Sequence, residues 1–155
     1  MNEAGSAADF TVKTFEEMET AVNGMFVKAR ASLGGSAFGV QVLNLPPNSR
    51  DVYPEHDHSH NEQEEVYLLL DGSGHLALPC GSVELSREKM IRVGPRTRRR
   101  LRSGANGARV LVVGGILGKP YVSQAGTDLG AEPQFSDPNA SSDMIPGGPS
   151  PQLDC

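Results

Sequence analysis

The sequence predicts an all-β fold, an antiparallel sandwich or barrel, on three observations. Short segments of alternating apolar and polar residues recur roughly every ten residues. Eighteen Gly and eleven Pro supply turns between them. Only one stretch has helical periodicity, which argues against a parallel α/β fold.

Taken in order, residues 1–9 are small and polar and read as disordered. Phe15 to Val22 reads as a short helix: Phe15, Met18 and Val22 share a face, and Thr14 with Glu17 makes a capping pair. Strands follow at Met25–Ala31 and Phe38–Leu45, the second ended by Pro46-Pro47-Asn48. Tyr53–His60 is a third strand. Glu65–Leu70 is a fourth, closed by a turn at Asp71-Gly72-Ser73-Gly74. His75–Leu78, Ser82–Leu85, Met90–Val93, Arg98–Arg102 and Arg109–Ile116 complete the set, with Gly104-Ala105-Asn106-Gly107 as a hairpin turn. From Ala125 to Cys155 there are five Pro, four Gly, five acidic residues and no Lys or Arg. The reading is a barrel over residues 10–121 and a disordered tail over 122–155.

With 155 residues, one domain is expected. The net charge of -5 argues against a general nucleic-acid binder. No apolar run approaches the roughly 20 residues of a membrane helix. Two cysteines, Cys80 and Cys155, are too few for a disulfide framework, and no signal peptide is read at the N-terminus. The expected location is the cytoplasm.

Charge is unevenly placed. Six of the fourteen basic residues lie between Arg92 and Arg102, and seven of the nineteen acidic ones between Asp51 and Asp71. In a strand, Arg99 and Leu101 face one way and Arg98, Arg100 and Arg102 the other. Leu101 marks the interior, so Arg99 is read as inward. The outer three are read as a surface row paired with acidic neighbours.

All four histidines lie between positions 56 and 75. His56, His58 and His60 alternate, so an extended strand would turn them to one side. Imidazoles beside a carboxylate, here Glu65, suit iron(II), nickel, manganese or zinc. By parity Glu65 and Tyr67 face the interior and Glu64 faces solvent. Tyr67 is read as a cavity residue or a plain core tyrosine, and His75 as part of the pocket wall or a surface histidine.

Pro46 to Gly72 resembles the first conserved motif of the cupins: a turn, His-x-His, Glu, and Gly after six more residues. Arg87 to Ser103 resembles the second motif, where Arg99 stands at the position of the family's usual fourth ligand, a His. The resemblance implies a cupin-like double-stranded β-helix (jelly-roll) barrel that pairs as a homodimer. Counting from the Pro54-Glu55-His56 opening selects His56 and His58; counting back from Glu65 selects His58 and His60. The first pair is favoured, with His60 as the spare.

Three functions are carried forward. The first is an enzyme with a metal on two histidines and Glu65, in which His58 and Glu65 act catalytically and Arg99 holds an anionic substrate with Tyr67 and His75 nearby. Oxygenation, isomerisation, or cyclisation and dehydration of a polyketide-like compound from secondary metabolism are open to it. The second is a metal-free enzyme using the same groups as acid and base. The third is a binding module for a small anion.

Overall fold

The computed structural model describes residues 8–132. Of the stretches expected to be disordered, 1–9 and 122–155, residues 1–7 and 133–155 lie outside them. The fold is all-β, with seven strands: β1 (Thr20–Ala21), β2 (Phe26–Val27), β3 (Gly39–Leu45), β4 (Gln63–Leu78), β5 (Gly81–Glu84), β6 (Ile91–Val93) and β7 (Arg100–Ile116). One short helix, α1 (Ala29–Leu33), follows β2 and ends at Gly34 in a left-handed cap. The hydrogen-bonded order is β1-β2-β3-β7-β4-β5, and β6 pairs with β4.

Two long strands dominate. β4 and β7 run antiparallel, with Gln63 opposite Ile116 at one end and Ala77 opposite Arg100 at the other. The stretches expected to be turns, Asp71–Gly74 and Gly104–Gly107, lie inside these strands. The register shifts between Leu69 and Asp71 and again between Gly72 and Gly74. Glycine here makes bulges that bend a continuous ribbon, and both strands stay paired on either side of them. Gly72 has φ +81°, and a Cβ there would lie 2.1 Å from the Gly107 carbonyl oxygen.

Alternation along the strands divides the packing. Leu43, Leu45, Tyr67, Leu69, Leu76, Leu101 and Val110 fill the barrel interior. Met18, Val27, Ala29 and Val42 form a second cluster on the outer face of the sheet.

The N-terminal expectations hold in part. The Thr14–Glu17 pair forms, with the Thr14 N–H donating to Glu17 Oε2 at 2.7 Å. The helix stops after one 3-10 turn, Phe15–Glu17. Val22 and Asn23 then take left-handed backbone (φ 53° and 54°) and turn β1 back as β2. The expected strand Met25–Ala31 is real only at Phe26–Val27. Among the described residues no helix is long and apolar enough to cross a membrane.

Candidate metal centre and cavity

The expected strand Tyr53–His60 is irregular. Its single ladder contact pairs His56 with Arg99, each N–H donating to the other's carbonyl (3.0 and 2.9 Å). Pro54 has no N–H to give a ladder. Asp57 Oδ1 accepts from both the N–H and the hydroxyl of Ser59 (3.0 and 2.7 Å), a local turn that competes with extension. The His58 N–H donates to the Pro95 carbonyl at 2.7 Å, and the chain then turns so that Glu62 N–H reaches the His58 carbonyl at 2.8 Å.

This loop carries His56 and His58 over Glu65, which points inward from β4 between Val93 and Gly114. One ligand atom from each of His56, His58 and Glu65 lies within 4.8 Å of the others. His60 lies outside this group, its ring 5.9 Å from that of His58. The His56 Nδ1–H donates to the Pro54 carbonyl (3.1 Å), which turns Nε2 toward Glu65 Oε2, 3.8 Å away. His58 is 3% exposed. Its Nε2 is 3.0 Å from Glu65 Oε1 yet has no partner in hydrogen-bonding direction.

Glu65 is 7% exposed and held from below. Arg99 Nη2 donates to its Oε2 at 2.9 Å and Nε at 3.2 Å; Tyr67 Oη donates to the same oxygen. Gln63 Nε2 donates to Oε1 at 3.2 Å. Gly114 permits that bond, because a Cβ there would lie 2.5 Å from Gln63 Nε2. Burial alone would raise the Glu65 carboxyl, but the adjacent His56 and His58 imidazoles bring it well below the usual carboxylate range. Glu65 is an anion built to face positive charge.

The expectation that Arg99 holds a substrate meets a side chain that is 0% exposed. Its donors go to Glu65, to Tyr67 Oη and to the Thr97 carbonyl (2.7 Å). Tyr67, 1% exposed, is a buried partner of Glu65 rather than a cavity wall. His75 lies beyond the β4 bulges, beside Arg50 and Arg102 at a separate hollow. It shares Glu65's parity, but the register shifts between the two break the alternation. The outer three arginines do pair with acids: Arg98 with Glu55 (3.1 Å), Arg100 with Asp51 (2.7 Å) and Arg102 with Asp51 (3.9 Å).

A cavity of about 250 Å³ opens over His56, His58 and Glu65. Phe26, Leu43 and Val112 give it an apolar wall, and His60 lines it too. Sequence reasoning missed Tyr53, Gln63, Tyr121 and Gln124 on the lining. Gln63 shares Glu65's parity and was readable on that ground. Tyr121 and Gln124 come from beyond or at the expected end of the barrel. The Gln124 amide lies 3.2 Å from His58 Nδ1.

The chain matches no protein-family model and no curated protein. Solved structures do match its fold. A cupin protein from Bacteroides fragilis is 17% identical with a TM-score of 0.56, over 76% of this chain and 93% of that one. A protein from Silicibacter pomeroyi, described as a sugar phosphate isomerase from a cupin superfamily, is 16% identical with a TM-score of 0.54, over 68% and 75%. The chain is a cupin by fold.

Proposed function

We propose that the chain is a small-molecule enzyme in which His56, His58 and Glu65 hold one divalent transition metal. The observation that supports it most is the buried His58 Nε2, without a hydrogen-bond partner and facing an ionised carboxylate on the cavity floor. A buried polar nitrogen left without a partner costs stability, and a cation that took its lone pair once the ring proton moved to Nδ1 would remove that cost. His56, with Nδ1–H held by a carbonyl, fits the same role. Iron, nickel, manganese and zinc all suit this donor set. When bound, such a cation keeps open positions and polarises a substrate oxygen.

The protein's own residues supply the rest. Arg99 and Tyr67 fix one Glu65 oxygen and so aim the other at the imidazoles. Phe26, Leu43 and Val112 shelter a carbon skeleton, and the volume limits it to a small one. His60, on the cavity wall but outside the ligand group, is the imidazole available to exchange protons with it. We favour proton transfer beside a carbonyl, as in isomerisation or elimination; the name of the Silicibacter pomeroyi cupin belongs to that class. With Arg99 sealed away, an anionic substrate group would have to be met by the cation that His56, His58 and Glu65 would hold.

A metal-free acid–base enzyme is the second reading, and the site limits it. A carboxyl held this far down is a weak general base, so the histidines would have to serve.

The test is metal analysis of chelator-free protein, by elemental mass spectrometry, after native purification and after anaerobic loading. About one metal per chain is expected, lost in His58→Ala while circular dichroism is retained. A folded wild-type chain that takes up none of the four metals would end this reading.

A further inference from the structure

After β7, the described residues 117–132 stay against the domain. Residues 121–131 cross the cavity mouth and are tied to the first thirty residues by two buried cations. Lys28 is 0% exposed. Its Nζ donates to Glu19 Oε1 (2.8 Å), to the Asp128 carbonyl (2.9 Å) and to the Ala131 carbonyl. An ammonium has three N–H groups, so all are used. Arg30 donates to the Thr127 carbonyl (3.4 Å) and to Asp128 Oδ1. Glu19 Oε1 also accepts the Gly130 N–H at 2.7 Å. Within the segment, the Thr127 N–H and hydroxyl both donate to the Gln124 carbonyl (3.1 and 2.8 Å), fixing the residue whose amide meets His58.

We infer that Gln124 is a positioning residue for His58, and that Lys28 and Arg30 are the anchors that keep it in place. As placed, the Gln124 amide donates Nε2–H to His58 Nδ1, so the ring proton sits on Nε2. Half a turn of the amide offers Oε1 instead. Nδ1 then carries the proton, and the Nε2 lone pair is released toward the cavity. A glutamine supports both ring forms; a carboxylate supports only the second and an alkyl chain neither. The use of the second form rests on the proposed reading of His58 as a ligand; the contact itself does not. The anchors make the contact firm, because lifting the segment would leave a buried ammonium with one partner of three.

The test uses full-length, metal-free, ¹⁵N-labelled protein and the imidazole nitrogen signals of His58. Wild type should show one tautomer, protonated on Nε2. Gln124→Glu should move it to the Nδ1–H form, and Gln124→Leu should give a mixture. Lys28→Met, which does not touch His58, should reproduce the Gln124→Leu pattern. If that variant does not fold, Asp128→Ala, an exposed side chain, removes the partner of the other anchor, Arg30, and should do likewise. Zinc affinity should fall about tenfold in Gln124→Leu and Lys28→Met. His58 signals identical to wild type in both Gln124 variants overturn the positioning role, and unmoved signals in the folded anchor variant overturn the anchoring. If wild type takes up none of iron, nickel, manganese and zinc, the proposed function fails while the imidazole spectra still decide the role of Gln124.

Discussion

At the scale of single residues, the centre turns on how Arg99 and Glu65 share the interior. Both are buried, and Arg99 meets the carboxylate with two donors. Removing one member of a buried pair strands the other's charge, at about 3–5 kcal/mol. We expect Arg99→Leu to lower the unfolding free energy measured in urea by that much, and Arg99→Leu with Glu65→Gln to recover a large part of the loss. If the double variant is no more stable than the single, the two side chains are not coupled. The inward direction of Arg99 and Glu65 and the outward direction of Glu64 were legible in the sequence, because strand parity follows from an apolar neighbour such as Leu101 or Tyr67. The role of Arg99 was not. A guanidinium beside a cavity can hold a ligand or a wall residue, and only coordinates show that its donors are already engaged.

At the scale of elements, β4 and β7 set where everything else goes. Their joint bend at Gly72 and Gly107 sends Glu65 to the cavity and His75 to the far hollow. Gly72→Ala would bring Cβ against the Gly107 carbonyl at a positive φ, and backbone on both sides leaves no room to yield. We expect a loss of about 3 kcal/mol or more by chemical denaturation, with strain and overpacking together. A change under about 0.5 kcal/mol, no more than an ordinary surface substitution produces, would show that the ribbon bends elsewhere. The sequence could not separate this bulge from a hairpin turn, because Asp-Gly and Gly-x-Gly clusters serve both. The difference lies in hydrogen bonds to a strand thirty residues away. The His56–His60 loop was misread for a related reason: alternating histidines look extended, while Asp57 and Pro54 locally oppose a ladder.

At the scale of the whole molecule, all three tyrosines lie at or beneath one cavity, and there is no Trp to obscure them. Burial, then the Glu65 charge, pushes the Tyr53 and Tyr67 phenols up, and burial does the same for Tyr121. An unfolded chain loses these protons near pH 10 while the folded one keeps them. The contribution to stability is therefore whole below about pH 10 and declines as pH rises toward the folded values. We expect phenolate absorbance to stay flat through about pH 10.5 and to rise together with loss of circular dichroism. Absorbance that grows near pH 10 in a folded protein would show that the phenols are open to water. The fold class was legible from turns and alternation alone. The boundary at 121 was not, since Gly and acidic residues mask the segment's attachment: its hold on the domain comes from Lys28 and Arg30, far back in the chain.

That attachment also orders events in time. Lys28 is synthesised 100 residues before Asp128 and 103 before Ala131. On the ribosome, which delivers chains from the N-terminus, its ammonium must remain hydrated while the ribbon assembles. The stretch that seals the chamber emerges after both long strands, so a nascent chain holds an open vestibule until residues 121–131 arrive.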